Sequence, residues 1–203
     1  MTLRAATSTT VRLARRTRGT DSLHTVAAAA SRIQHWAATA EGRRRTAEVL
    51  RSMDHRVWRV TQHVRLPDGT HADHLAVGPT GCYLLASRAW PGVVTVDHKG
   101  ATITPDGHPG AAWTARGQHR SFAPAAAALG RSVAARGGGM LPPPRAVVVV
   151  WARFPDRLAL SGGISYVAGE LLAGWLSGRT APPDQRVPRR LLDADPLPAP
   201  ASA

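Results

Sequence analysis

Residues Ala72–Gly92 read ADHLAVGPTGCYLLASRAWPG and carry the clearest local pattern in the chain. It contains two apolar runs joined by the turn residues Gly78-Pro79-Thr80-Gly81. Because Gly and Pro favour tight turns, we predict that the two runs are antiparallel strands of one hairpin. Asp73 lies at the head of the first strand, and Ala86-Ser87-Arg88 ends the second. The hairpin therefore places Asp73 beside this triplet on neighbouring strands.

The sequence on either side of the hairpin predicts an α/β domain with a mixed sheet flanked by helices. The run Arg145–Trp151 is continuously apolar, which is typical of a strand in the interior of a sheet. Pro124 interrupts an alanine-rich helical segment and is expected to kink or split it. The predicted elements are helices over 21–39 and 39–53, strands over 57–64, 72–77, 82–87 and 93–96, a polar turn region over 97–107 with Ile103 at an edge, a helix over 113–136, strands over 145–151 and 164–167, and a helix over 168–177.

The two ends of the chain differ in composition from the middle. Residues 1–20 have no apolar periodicity and are rich in Thr and Arg, which predicts a flexible basic arm. An inert tail is the alternative interpretation of these residues. Residues 21–179 are predicted to form a single domain, and the repeated prolines in 180–203 predict a disordered tail.

The charge of the chain favours polyanionic partners. Its formal net charge is +13, and contact with phosphates releases condensed counterions. Lys99 is the only lysine among the 26 basic residues, and Ala, Pro and Gly are abundant. This composition is also typical of a GC-rich genome, so a role without nucleic acid stays open. The charge makes DNA or RNA a possible partner, and the sequence leaves a protein partner unknown.

Two further features of the composition concern the compartment. The single cysteine, Cys82, excludes an internal disulfide framework and favours a reducing compartment. It lies in an apolar strand, which predicts a core residue. The longest purely apolar run, at 146–152, is much shorter than the roughly 20 residues that cross a bilayer. The sequence therefore predicts a cytoplasmic protein without a membrane partner. An Arg-rich and Thr-rich transit peptide at the N-terminus is the weaker alternative.

Four short segments together carry a recognisable pattern. They read EGRRRTAEVL at Glu41–Leu50, LPDG at Leu66–Gly69, DHLAVGPTG at Asp73–Gly81 and LLASRAWPG at Leu84–Gly92. The pattern resembles the NERD (nuclease-related domain) family of bacteria, which is similar to PD-(D/E)xK restriction-endonuclease-like proteins. The resemblance covers roughly residues 39–150. It implies an α/β, restriction-endonuclease-like fold whose mixed central sheet is flanked by helices.

The resemblance also implies a nuclease site of which only part is present. The family carries a glutamate after a glycine in the first helix, and Arg43 stands at that position. Asp73 matches the family aspartate that precedes a histidine. In the family triplet acid-x-Lys, Ala86 replaces the acid and Arg88 replaces the lysine. The family also tends to carry a glutamine in the following helix, and Gln118 is the nearest match. The implied catalytic remnant is therefore Asp73, Arg88 and Gln118, with Arg43 and Ala86 at the lost acidic positions.

These replacements weaken the metal chemistry that the family uses. Phosphodiester hydrolysis of this kind needs Mg²⁺ held by carboxylates. Asp73 alone is predicted to be a weak metal ligand, and Ala86 supplies none. Arg88 keeps a positive charge for phosphate, but it does not release a proton near neutral pH as a base must. No cofactor is therefore expected, and Mg²⁺ only if the protein is active.

We therefore favour a catalytically weak or inactive nuclease-related module, a pseudoenzyme that binds nucleic acid or another partner. One alternative is an active metal-dependent nuclease with a rearranged site around Asp73, helped by a histidine and a displaced acid. Helical geometry turns the nearby acids Glu41 and Glu48 away from the position of Arg43. The other alternative is a structural module with no nucleic-acid role. The predicted phosphate contacts are Arg43, Arg44, Arg45 and Arg88, and the candidate histidines are His71 and His74.

Overall fold

A computed structural model describes residues 38–135 and 142–178, apart from the side chains of 116–119. The predicted basic arm, almost all of the helix predicted over 21–39, and the predicted tail lie outside these residues. The described helices are α1 (38–51), α2 (Arg116–Ala135) and α3 (Leu172–Gly178). The described strands are β1 (Arg59–Arg65), β2 (His71–Gly78), β3 (Gly81–Arg88), β4 (Val93–Asp97), β5 (Gly100–Thr104), β6 (Trp113–Thr114), β7 (Arg145–Val150), β8 (Leu158–Ser161) and β9 (Ile164–Ala168).

The strands form two sheets, and the larger one is mixed. Its six strands lie in the order β1-β2-β3-β7-β9-β8. Strands β1, β2 and β3 are antiparallel, β3, β7 and β9 are parallel, and β8 returns antiparallel to β9. Strands β4, β5 and β6 make the smaller antiparallel sheet. The predicted α/β architecture is confirmed, and it is consistent with a restriction-endonuclease-like fold.

The predicted hairpin is present as β2 and β3. Gly78 pairs with Gly81 at its tight end, and His74 pairs with Leu85 further along. Gly81 has φ 138°, in the region that favours glycine. Gly78 lies flat against the indole of Trp58, where a side chain would collide with the ring. Glycine is therefore required at position 81 by its backbone conformation and at position 78 by the contact with Trp58.

Both faces of the large sheet are covered, and β7 lies in its interior as predicted. Val148 and Val150 point into a core cluster that includes Phe122 of α2 and parts of the small sheet. Val147 and Val149 point into a second cluster with α1 and α3, which contribute residues such as Leu50 and Leu172. A strand buried on both faces needs a continuous apolar run, and the sequence of β7 supplies one. None of the helices in the described part is long and apolar enough to span a membrane.

Two predictions for the region of the small sheet are wrong. Strand β5 occupies the segment predicted as a polar turn region, and Ile103 is fully buried instead of lying at an edge. It is buried because β5 is the central strand of its sheet, between β4 and β6. The helix predicted over 113–136 begins later, at Arg116, because Trp113 and Thr114 pair with β5 as β6.

Two further differences concern Pro124 and β8. Helix α2 is continuous through Pro124, so the expected split does not occur. Pro124 lies on the exposed face, where water can satisfy the carbonyl group that has lost its helical partner. Strand β8 is absent from the prediction, because a four-residue strand with exposed Leu158 and Leu160 has no clear apolar alternation.

Candidate functional site

Asp73 is the buried acidic centre of the site. Its side chain is 7% exposed, and Oδ1 accepts a hydrogen bond from Nε of Arg43 at 2.6 Å. Oδ2 accepts one from the backbone N–H of Ser87, also at 2.6 Å. Nη1 of Arg88 lies 3.5 Å from Oδ2. Two guanidinium groups and one amide thus surround a single carboxylate.

Helix α1 brings Arg43 to this carboxylate. A Cβ atom on the neighbouring Gly42 would lie 3.1 Å from the backbone N of Ala89 and 3.3 Å from backbone atoms of Arg88. Because glycine has no Cβ, the helix can approach the end of β3 closely. Arg43, the next residue, then reaches Asp73 while 46% of its side chain stays exposed.

Arg88 approaches Asp73 from the end of β3. Its Nη1 donates a hydrogen bond to the carbonyl oxygen of Ser87 at 2.6 Å, and its side chain is only 20% exposed. Burial lowers the pKa of Arg88 from its ordinary value, and the charge of Asp73 acts in the opposite direction. The backbone N–H of Trp151 donates to the carbonyl oxygen of Arg88 at 2.7 Å. The strand end that carries Arg88 is therefore fixed from both sides.

Ala86 contributes only packing. It is 4% exposed and belongs to the same core cluster as Leu84 and Val148. Continuing the register of His74 with Leu85 places Ala86 across from Asp73. The position at which the resemblance implies an acid is thus a methyl group in an apolar surrounding.

The other arginines of α1 are paired with acids of the same helix. Arg44 binds Glu41 at 2.9 Å and Glu48 at 2.5 Å, and Arg45 binds Glu41 at 2.6 Å. Hydrogen bonds from Arg44 and then Arg45 lower the pKa of Glu41 to about 2. As helical geometry predicts, both acids are engaged away from Asp73.

The two candidate histidines lie in different surroundings. His71 is exposed at the start of β2, whereas His74 is 2% exposed and its Nδ1 has no hydrogen-bond partner among the described residues. Burial lowers the pKa of His74, which favours the neutral ring. Across the described part of the chain, no group of three or more His, Cys, Asp and Glu side chains is placed to hold a metal ion.

The structure brings together Arg43, Asp73 and Arg88, as the resemblance implies. Gln118 lies in the first turn of α2, but its side chain is outside the described part, so its role stays a prediction. The contribution of Ser87 was missed, because it acts through a backbone amide that any residue type supplies. The hairpin register alone places that amide near Asp73, one residue beyond the position opposite it.

Comparison with known proteins identifies the region that contains these residues. The family model described as nuclease-related domain (NERD) matches residues 38–129, just under half of the chain. The match begins with α1, includes the hairpin and ends within α2, so it contains Arg43, Asp73 and Arg88. No curated protein and no solved structure matches the chain.

Proposed function

We propose that this chain, whose residues 38–129 belong to the nuclease-related domain family, binds nucleic acid at a site that is poorly suited to metal-dependent cleavage. The observation that carries the proposal is the state of the Asp73 carboxylate. One of its oxygens accepts a hydrogen bond from Arg43 and the other from the amide of Ser87, with Arg88 close by. Cations thus surround the one family carboxylate that is present.

The residues around Asp73 do not suit Mg²⁺. The ion prefers carboxylate and other oxygen ligands, usually one or two carboxylates together with substrate oxygens. Here the nearest side-chain partners of Asp73 are guanidinium groups, which repel a divalent cation. Ala86 offers a methyl group, and Glu41 and Glu48 pair with arginines of α1. A metal at Asp73 would have to share the carboxylate with the guanidinium group of Arg43.

The same arrangement suits a phosphate group. Two arginines and one aspartate leave a formal charge of +1 on the cluster. Arg43 uses Nε to bind Asp73, and an arginine carries five N–H donors, so its Nη groups can bind phosphate oxygens. Nearly half of the Arg43 side chain is exposed, which makes it accessible to a large ligand. Arg88 adds a second, more buried positive charge.

Binding is tested with a fluorescein-labelled oligonucleotide, by fluorescence anisotropy over a range of salt concentrations. The affinity should fall steeply as salt rises, because phosphate contacts release counterions. Arg43→Gln and Arg88→Gln should each weaken binding and lower the magnitude of the salt slope by about 1. Arg153→Gln, an exposed arginine whose acidic partner is the exposed Asp106, is the matched control and should change little.

Cleavage is tested with supercoiled plasmid and Mg²⁺ or Mn²⁺. The proposal expects no nicking above that of a sample without protein. Nicking that Asp73→Ala abolishes would instead support an active nuclease with a rearranged site. Absence of oligonucleotide binding at low salt would contradict the proposal and favour a structural module. Far-UV circular dichroism of each variant checks that a lost signal does not come from unfolding.

A further inference from the structure

A second feature of the NERD region is a groove between helix α1 and strand β1. Its volume is about 260 Å³, and it lies between the last turns of α1 and the first residues of β1. Half-buried Ala47 and Val60 line it, with the buried side chains of Leu50 and Trp58 beneath them. The polar lining residues are all exposed, and they are Arg51, His55, Arg59 and Gln62. We call this feature the α1–β1 groove.

The rim of the α1–β1 groove carries positive charge. Arg51 and Arg59 lie on its two sides, one on the helix and one on the strand. Among the described residues, those that line the groove include no carboxylate. The nearby acid Asp54 accepts a hydrogen bond from the backbone N–H of Arg56 at 2.9 Å. Glu48, one turn before Arg51, is paired with Arg44. The described partners of Asp54 and Glu48 thus do not line the groove.

We propose that the α1–β1 groove binds one nucleotide unit of a single-stranded nucleic acid. This proposal rests on the proposed function and adds a second contact site to it. The arginines would bind the phosphate, the apolar lining of Ala47 and Val60 would contact the base, and Gln62 can both donate to and accept from a base edge. We choose a nucleotide as the occupant because its phosphate is negatively charged and the rim of the groove carries arginines.

The size of the groove limits its occupant to a single nucleotide unit. Small-molecule sites usually have volumes of about 300–1,000 Å³, and the α1–β1 groove lies just below that range. A double helix presents its bases inside, so an apolar lining of this size suits an unpaired nucleotide instead. The arginines of an edge strand can also serve only to prevent pairing between sheets. The experiments below separate this role from ligand binding.

The first experiment compares variants of the full chain in binding to a short labelled oligothymidylate, measured by anisotropy at several salt concentrations. Arg51→Gln and Arg59→Gln should each weaken binding several-fold and lower the magnitude of the salt slope by about 1. Arg131→Gln is the matched control, because Arg131 is an exposed arginine on α2, which packs on the opposite face of the sheet. It should bind like the unsubstituted chain.

The second variant fills the groove without changing its charge. Ala47→Phe places an aromatic ring in the lining and keeps both arginines. If the groove holds a base, Ala47→Phe should weaken oligothymidylate binding at least as much as Arg51→Gln. Unchanged binding by Ala47→Phe would show that the arginines act only as diffuse charge, and it would overturn the proposal. Circular dichroism verifies that each variant is folded.

A third measurement identifies the ligand chemistry. In NMR spectra, thymidine monophosphate should shift the side-chain amide of Gln62 and the indole N–H of Trp58, whereas inorganic phosphate should leave the Gln62 amide in place. Absence of shifts with the nucleotide would overturn the proposal. If the unsubstituted chain binds oligothymidylate but the Arg51, Arg59 and Ala47 variants bind equally well, the groove proposal fails and the proposed function stands. If the unsubstituted chain binds a duplex oligonucleotide but not oligothymidylate, the groove proposal fails alone; if it binds neither, the proposed function fails as well.

Discussion

At the scale of single residues, Asp73 is a buried acid whose side-chain partners are two arginines. A buried carboxylate is costly unless it is paired, and here the pairing comes from Arg43, Arg88 and the amide of Ser87. The carboxylate therefore neutralises part of the charge of two arginines. It also holds the two side chains near each other.

This role of Asp73 predicts a loss of stability in the variant Asp73→Asn. The amide side chain keeps its size but removes the negative charge beside Arg43 and the partly buried Arg88. We expect the free energy of unfolding to fall by about 2 kcal/mol. That is less than the roughly 3–5 kcal/mol for a fully buried pair, because Arg43 is half exposed. Urea denaturation followed by circular dichroism measures the change.

The control for this prediction is the ion pair of Asp106 with Arg153, in which both side chains are more than 70% exposed. Asp106→Asn should change the free energy of unfolding by less than about 0.5 kcal/mol. Equal effects of the two substitutions would mean that the ion pairs of Asp73 stabilise the fold no more than an exposed pair does. A stabilising effect of Asp73→Asn would mean that burial of the carboxylate costs more than its pairing returns.

At the scale of elements, the site depends on how closely α1 approaches the end of β3. Gly42 is the point of contact, and its neighbours there are backbone atoms of Arg88 and Ala89. Backbone atoms at the end of a buried strand cannot move aside as a flexible side chain can. Because Gly42 has no side chain, α1 lies close enough to the end of β3 for Arg43 to reach Asp73.

Gly42→Ala tests this contact. Alanine favours a helix over glycine by about 1 kcal/mol, so an exposed glycine in a helix should be stabilised by the change. At Gly42 the new Cβ would be 3.1 Å from a backbone nitrogen, and we expect a net destabilisation of about 1 kcal/mol or more. Gly174 in α3 is the matched control, since a Cβ there meets nothing within 4 Å.

The two alanine variants should thus change the free energy of unfolding in opposite directions, with Gly174→Ala more stable than the unsubstituted chain. Thermal and urea unfolding of both variants measure the signs. If Gly42→Ala is stabilising, α1 does not need its close approach to β3. Oligonucleotide binding by Gly42→Ala should also weaken, because Arg43 moves away from Asp73 with its helix.

The elements that the sequence predicts well are those whose pattern is local. The β2–β3 hairpin follows from its Gly-Pro-Thr-Gly turn, and β7 follows from its continuous valines. Strand β5 was missed because its only large apolar residue, Ile103, lies among Gly, Ala and Thr, and its burial depends on partners on both sides. Pro124 predicts a kink or a split in α2, but the helix is not split, and Pro124 lies on its exposed face.

The candidate sites also differ in whether a sequence pattern predicts them. The family resemblance implies that Arg43, Asp73 and Arg88 converge, and the fold places them together. The groove between α1 and β1 has no such local pattern, since it depends on how a helix and an edge strand are placed in space. Residues such as Arg51 and Gln62, eleven positions apart, look like ordinary surface residues in the sequence.

At the scale of the whole molecule, the central strands of the large sheet are buried, and Cys82 lies on one of them, β3. The thiol is 3% exposed in β3 and belongs to the core cluster that also contains Tyr166. Burial raises the pKa of Cys82 from its ordinary value of 9.0 to about 12. Burial also raises the pKa of Tyr166 from 10.0 to about 12. Both groups are therefore held in their neutral forms by the folded core.

These two shifts predict that the folded state becomes less stable at alkaline pH. Between pH 9 and 12 the unfolded chain releases the Cys82 proton and the folded chain retains it, so the folded state binds more protons. The free energy of unfolding is then unaffected by this group below pH 9 and falls as pH rises above it. The slope approaches about 1.4 kcal/mol per pH unit for one group. Tyr166 adds a loss of the same sign above pH 10.

Urea denaturation at several pH values between 8 and 11 measures this slope, with Cys82→Ala and Tyr166→Phe as variants that each remove one titrating group. Each variant should have a shallower slope than the unsubstituted chain, whatever its stability at pH 8. Because Cys82 is the only cysteine of the chain, a thiol reagent gives a second measurement. Labelling should be slow in the folded state and fast in denaturant. Fast labelling without denaturant, together with an unchanged slope in Cys82→Ala, would mean that the core opens locally around β3.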